Sequence, residues 1–386
     1  MDVIKLSEKF LEIREHSLTL ASPLKAEDSV IQPIFYVSPP KWHLAHTTWF
    51  FEELILKEFQ PDYDVYNSGY SFLFNSYYNT VGDRTIRSDR GNISRPTLDE
   101  ILEYRNHVED ALVEFITQDM VPEKAFELVQ LGMQHEQQHQ ELFLADLKYT
   151  LGLNPSFPIY HEHFNLTSNK NEESGYVSIE DGIHEVGYTG KGFCFDNELN
   201  PHKVYLDKYE ISKALITNGE FLEFIEAGGY ENFNNWLDEG WTWVKENNIT
   251  SPLHWHYIEG KWHCYTLSGL VQMKSDDILT HISYYEAAAF AFWKEMRLPT
   301  EFEWEVASKE IKWGLRWEWT NSAYLPYPGF KINKGAVGEY NGKFMINQMV
   351  LRGGSVATSK KHSRNTYRNF FHPYFQWQYT GIRLAK

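Results

Sequence analysis

Apolar residues recur at helical spacing through the first part of the chain. Leu6, Phe10, Ile13, Ser17 and Leu20 form one stripe, and a second segment, starting at Ser38-Pro39-Pro40, carries His43, His46, Phe50 and Leu54. A third opens with Thr97-Leu98-Asp99-Glu100, a capping box whose hydroxyl and carboxylate satisfy free N–H groups at a helix start, and runs on through Ile101, Arg105, Val108, Leu112 and Phe115. A fourth extends from Pro122 to about Leu151. Four amphipathic helices with stripes of this width predict a four-helix bundle. Residues 59–96 lack the period, and connections that long are uncommon unless functional or disordered. Their aromatics, with Arg84, Arg87, Arg90 and Arg95, favour an ordered, functional loop.

Past residue 174 the pattern changes to short strand-like runs (YVSI, HKVYL, WTWV, MVLRGGS) separated by Gly, Asn and Asp. Thr217…Glu220, Ser283…Glu286 and Thr300…Glu303 are further capping boxes and predict three short helices among the strands, hence an α+β domain. Eleven of the 13 Trp fall in this part, so the halves are built differently. The expected division is 1–174 and 175–386.

Composition narrows the function. A chain of 386 residues is long for one core, and its 42% apolar content supports packed interiors. With 36 Lys+Arg against 53 Asp+Glu the formal charge is −17, which argues against nucleic acid or an anionic membrane as partner. Cys194 and Cys264 alone imply neither a disulfide framework nor a CxxC site. The N-terminal segment interleaves charges with apolar residues and lacks a signal-peptide run, so a cytoplasmic, soluble protein is expected.

The strongest chemical signal is His135-Glu136-Gln137-Gln138-His139 in the fourth helix. Histidines four apart stand about 40° apart around the axis, so both imidazoles can reach one metal ion. They share the stripe of Leu128, Leu131, Leu142 and Tyr149 and are expected to point into the bundle, where a shared ion would satisfy both. The alternative is two buried histidines bonded to other side chains. H-E-x-x-H is also the zinc-protease signature, but the positions where the longer pattern needs Gly and His hold Leu142 and Ala145. Glu136, about 100° round the helix from His135, is expected to face outward. A third ligand could be His43 or His46, and three histidines would leave coordination positions open, as catalysis requires. Tyr77 and Tyr78 could supply hydroxyls, and the loop arginines could hold a carboxylate. Arg352-Gly353-Gly354-Ser355 and the following RNTYRNFFHP read equally as a recognition surface or an elaborate turn.

Taken together, HLAHTTWFFEE, LFNSYYNTVGDR, HEQQHQELFLADLKY, RLPTEFEWEVA, LRGGSVAT and RNFFHPYFQWQYTGIRLA resemble, in colinear order over nearly the whole chain, the ergothioneine biosynthesis sulfoxide synthases. The resemblance implies a DinB-like four-helix bundle joined to a formylglycine-generating-enzyme-like domain, a variant of the C-type lectin fold. It also implies a non-haem Fe(II) enzyme that uses O2 to join the sulfur of cysteine to imidazole C2 of Nα-trimethylhistidine (hercynine), giving a sulfoxide. Carried over by motif, His46, His135 and His139 would be the metal ligands, with Gln138 and Asn369 contacting the trimethylhistidine. Arg87 and Arg90 would hold the sulfur donor's carboxylate, and Tyr77 and Tyr78 resemble the catalytic tyrosine pair of members that use free cysteine. With Phe370 and Phe371, the tyrosines would line a cleft between the domains.

Members that use γ-glutamylcysteine carry an Asp and an Arg where this chain has Phe371 and Phe375, so free cysteine is the expected donor. The chain has no cysteine after Cys264, so the formylglycine-generating reaction itself, which needs a late cysteine pair, is not expected. The alternatives are an ovothiol-type synthase acting on plain histidine, a DinB-type metal-dependent thiol transferase without oxygen chemistry, and a lectin-like binding module with a structural metal. Three histidines also suit zinc, so the metal is not legible from the ligands alone.

Overall fold

A computed structural model describes residues 3–164, 166–332 and 341–386. The described residues fall into two compact units, one ending at Pro155 and one beginning at Ser156. None of their helices is long and apolar enough to cross a membrane.

The first unit contains the four predicted helices: α1 (Val3–Ala21), α2 (Pro40–Phe51), α3 (Leu98–Ile116) and α4 (Glu123–Gly152). Pro40 occupies the first turn of α2, where the missing N–H costs nothing. At α3 the capping box forms: Thr97 Oγ1 accepts from the Glu100 N–H at 3.3 Å, and Glu100 accepts from the Thr97 N–H at 2.6 Å. α2 packs against α3 and α4, and α1 against α4, around buried Phe10, Leu44, Phe51, Ile101, Val108 and Leu147. Gly132 permits the close approach of α2 to α4, since a Cβ there would stand 2.5 Å from the Phe51 ring.

α2 continues through a π-helical turn, Glu52–Leu56, into Lys57–Phe59. Such turns widen a helix locally and concentrate at functional sites. This one aims the fully buried Glu52 at the start of the long loop, where its carboxylate accepts from Tyr63 Oη at 2.8 Å, Tyr104 Oη at 2.6 Å and the Tyr66 N–H at 3.2 Å. The loop is built rather than loose. It contains a one-turn helix (Tyr70–Leu73) and a 3-10 turn (Arg87–Asn92), and Lys41 Nζ donates to the carbonyls of Ser94 and Pro96 at its far end.

The second unit has eleven described strands: β1 (Tyr176–Ile179), β2 (Gly182–Val186), β3 (His202–Leu206), β4 (Tyr209–Ser212), β5 (Trp255–Ile258), β6 (Lys261–Thr266), β7 (Gly269–Gln272), β8 (Trp317–Ala323), β9 (Met349–Arg352), β10 (Asn369–Phe371) and β11 (Thr380–Gly381). They form a mixed sheet of order β10-β9-β8-β11, a meander β5-β6-β7, and the pairs β1-β4 and β2-β3. Its helices are α5 (Asn218–Glu226), α6 (Asp238–Asn247), α7 (Tyr284–Trp293) and α8 (Glu301–Ala307), and α5, α7 and α8 each open with the predicted capping box.

The run WTWV is not a strand; it lies in α6. Its period-2 pattern comes from two partly exposed indoles, whereas Gly240 and Val244, four apart, are the residues α6 buries, and Asp238 and Glu239 favour its N-terminus. Residues 156–173, before the change in sequence character, already pair within this unit: the Tyr160 N–H donates to Leu267 O, and the Ile278 N–H to Asn169 O. Buried polar contacts hold these elements together: Glu318 of β8 pairs with Arg383 and accepts from Trp304 Nε1 of α8, and Glu301 of α8 pairs with Arg368, the residue before β10.

Candidate metal centre

His46 on α2 and His135 and His139 on α4 converge, with one ring nitrogen of each within 4.8 Å of the others. His46 and His135 are buried and His139 is partly exposed. The Phe74 carbonyl, 2.7 Å from His46 Nδ1, can only accept, so Nδ1 carries the proton and Nε2 keeps its lone pair. That Nε2 is buried without a hydrogen-bond partner among the described residues, the condition a metal would relieve. Burial lowers the basicity of all three rings, and their mutual proximity lowers that of His46 and His139 further; His135 is brought down to about 3. At neutral pH the cluster is uncharged, the state in which imidazole binds a divalent ion. The donor set therefore fits a metal.

The rings around the cluster are fixed by helical spacing. Trp42 and Trp49, four residues before and three after His46, stack on its two faces with centroids 4.5 and 5.5 Å away. Beyond Trp49 lie Tyr78, at 5.4 Å, and Tyr77, stacked on Tyr78 at 4.6 Å. Tyr78 is fully buried, Tyr77 is partly exposed, and their phenol oxygens are 3.5 Å apart. On the other side Arg90 lies over the Trp42 ring at 3.4 Å. Arg90 is buried, donates to Ser38 Oγ and Ser76 Oγ at 2.8 Å each, and has no carboxylate at ion-pairing distance among the described residues. Burial, with Arg87 adding repulsion, depresses its pKa well below the usual range. A guanidinium so placed favours an anionic ligand.

The other expected site residues are placed differently. Arg87 is exposed and donates to the Tyr36 carbonyl at 2.6 Å. Gln138 is partly exposed on α4 beside His139. Asn369, Phe370 and Phe371 form β10 of the second unit, where Phe370 stacks on Tyr324 at 4.0 Å and Phe371 meets Trp377 edge-on at 5.0 Å.

Glu136 does not face outward. It is fully buried against α1 and α3, 3.0 Å from both Arg14 and Arg105, and accepts from Ser17 Oγ at 2.6 Å. Burial disfavours its charge, but the two guanidiniums and Ser17 outweigh that and lower its pKa. The stripe continuing from His139 is also less buried than expected: Leu131, Leu142 and Tyr149 are partly exposed, and Gln140, Phe143 and Leu147 take the core side. The rotation is set by the ion pair, which draws the Glu136 face of α4 inward. A carboxylate held this way is not available as the general base of a zinc protease.

His43 points to the cluster without joining it. Its Nδ1 is 2.8 Å from His139 Nδ1 and its Nε2 is 3.0 Å from Asp146 Oδ2. Asp146 escaped the sequence reading, although seven residues after His139 puts it within about 20° of the same helical face.

Comparison with known proteins covers both units. The DinB superfamily model matches residues 9–143, and the sulfatase-modifying factor enzyme 1-like domain matches residues 163–315. Hercynine oxygenase of Mycolicibacterium thermoresistibile is 28% identical, covering 73% of this chain and 72% of that protein. That of Mycolicibacterium smegmatis is 26% identical, covering 66% and 70%, and that of Mycobacterium tuberculosis 30% identical, covering 49% and 55%. With this domain order, these relatives and a histidine triad able to hold a metal, the chain belongs to the hercynine oxygenase family of ergothioneine-biosynthesis sulfoxide synthases and is an oxidoreductase.

Proposed function

We propose that the protein uses Fe(II) and O2 to couple the sulfur of cysteine to imidazole C2 of Nα-trimethylhistidine, giving hercynylcysteine sulfoxide. The observation that carries this reading is the neutral cluster of His46, His135 and His139, with the buried guanidinium of Arg90 lying over the Trp42 indole that stacks on His46. The balance is simple: the S–H and C2–H bonds break, C–S and S–O bonds form, and O2 supplies the sulfoxide oxygen and one water. Bound iron would supply the redox chemistry and lower the pKa of the thiol.

The chain's residues then have separate tasks. Arg90, with Arg87 at the loop surface, would bind the cysteine carboxylate and set the position of its sulfur. Tyr77 and Tyr78 would hold or deliver a proton at the reacting oxygen, steering oxidation to the C–S bond rather than to sulfinic acid. Gln138, Asn369, Phe370 and Phe371 are assigned to the trimethylhistidine by motif. Phe371 and Phe375 carry no charge to receive a dipeptide's γ-glutamyl group, which supports free cysteine as donor.

The test is metal analysis of the purified protein combined with O2 uptake and product analysis, using cysteine with either trimethylhistidine or histidine. Sulfoxide formation coupled to O2 uptake, faster with trimethylhistidine, is expected. Faster turnover of histidine would replace the acceptor with that of an ovothiol-type synthase, and product without O2 uptake would make the protein a thiol transferase.

A further inference from the structure

His43, the α2 histidine outside the triad, has no task in that reading, and its surroundings supply one. Both its ring nitrogens are engaged, Nδ1 with His139 Nδ1 at 2.8 Å and Nε2 with Asp146 Oδ2 at 3.0 Å. His43 and Asp146 are 4% and 2% exposed, so water competes little for either contact. The backbone N–H of Ser38, just before α2, donates to the same Oδ2 at 2.8 Å and fixes the carboxylate. The Asp146 oxygen already accepts from the Ser38 N–H, and a carboxylate oxygen takes the same role toward His43, so Nε2–H of His43 is the donor; its Nδ1 is then the acceptor of the second bond and His139 Nδ1 the donor. His139 is left with its lone pair on Nε2.

We propose that Asp146 and His43 form a positioning relay that sets which nitrogen His139 presents to a divalent metal, neither residue being a ligand itself. The proposal rests on the reading that His46, His135 and His139 hold the metal. It gives His139 what the Phe74 carbonyl gives His46: a fixed tautomer and a fixed ring plane. The hydrogen bond toward a carboxylate-backed acceptor also makes the free nitrogen more basic, the role that outer partners of metal-bound histidines commonly have. Passing the carboxylate's influence through the His43 ring keeps the carboxylate itself out of contact with His139.

The primary test uses the unmodified full-length chain, labelled with 15N-histidine and recorded metal-free and zinc-loaded by long-range 1H–15N correlation. His43 is expected as the Nε2–H tautomer and His139 as Nδ1–H in both states. His139 found as Nε2–H in the metal-free protein would overturn the relay. The second test measures zinc affinity by competition with a chelator, after circular dichroism has shown the variants folded. His43→Leu, which can neither accept nor donate, is expected to bind zinc roughly 10- to 100-fold more weakly, the usual cost of losing such a partner. His43→Gln, whose amide oxygen can accept from His139 and whose nitrogen can donate to Asp146, is expected to recover most of that loss. Equal losses in the Leu and Gln variants, or none in the Leu variant, would reduce His43 to packing. Should the tautomers and affinities come out as expected while no sulfoxide forms, the proposed reaction fails and the relay stands.

Discussion

Glu136→Gln should destabilise the helical unit far more than its conservative shape suggests. In the wild type the carboxylate is the common partner of Arg14 and Arg105, all three being fully buried or nearly so. The amide keeps one acceptor and turns an N–H pair toward a guanidinium, leaving Arg105 without a carboxylate at ion-pairing distance among the described residues and Arg14 with the partly exposed Glu109, 3.2 Å from its Nε. Breaking a buried ion pair from one side costs about 3–5 kcal/mol. In a domain of this size each kcal/mol moves the melting temperature by roughly 2–4 °C, so the helical transition should fall by roughly 6–20 °C. Circular dichroism at 222 nm follows this transition. The effect carries a pH signature. Because the folded-state pKa of Glu136 is lowered from about 4.5, its charge stabilises the fold above the unfolded value, and that contribution is lost as pH falls through the folded value. The gap between wild type and Glu136→Gln should therefore be full near neutrality and shrink in acid below about pH 4.5. A melting temperature unchanged near pH 7 would refute the reasoning and reopen a role for Glu136 at the metal.

His135→Ala should remain folded by circular dichroism yet lose stoichiometric metal; a chain that no longer folds would instead mark the metal as structural. Tyr78→Phe should keep its metal content and divert cysteine toward sulfinic acid, and an unchanged product ratio would shift attention to Tyr77 or Tyr324. Arg90→Met should raise KM for cysteine roughly 10- to 100-fold, as expected for losing a charge-assisted hydrogen bond of about 1.5–3 kcal/mol; an unchanged KM would remove Arg90 from substrate binding. Thr300→Ala removes the hydroxyl that accepts from Glu303 N–H at 3.2 Å and should cost about 1 kcal/mol, read as a small drop in the denaturation midpoint of the second unit.

What the sequence disclosed followed from local rules. The bundle helices could be placed because each has an apolar period and the last three have a start signal of their own, and the caps at Thr97, Thr217, Ser283 and Thr300 depend on three-residue spacings that tertiary packing leaves intact. The segment WTWV misled because alternating aromatics imitate a strand when flanking polar residues in fact set a helix. The orientation of Glu136 was hidden for a different reason: its partners are 122 and 31 residues away, and no pattern within α4 announces them. Arg105 was a clue nonetheless, since a charged residue on the apolar stripe of α3 demands a buried counter-charge. The choice between His43 and His46 was equally invisible locally, because both turn inward and only the position of α4 decides which meets the other two histidines.

The charges of the helical unit explain why HExxH can serve chemistry here that differs from a protease's. In a protease the glutamate faces the metal's water. Here α4 is rotated so that the Glu136 charge is held by Arg14 and Arg105, and Asp146, another buried acidic residue of α4, reaches His139 through His43. A divalent ion on three neutral imidazoles would keep its full charge, and Arg90 adds a further buried positive charge nearby. The cluster would then compete for anions in two places at once, the metal and the guanidinium, and a thiol amino acid ionised at sulfur and carboxylate is a small molecule that offers both. A free thiol is mostly protonated at neutral pH, with a pKa near 8.5, so a metal held by the three histidines would favour the thiolate form of such a ligand. With a formal charge of −17 over the whole chain, the buried guanidinium of Arg90 is a local exception to a surface that repels anions.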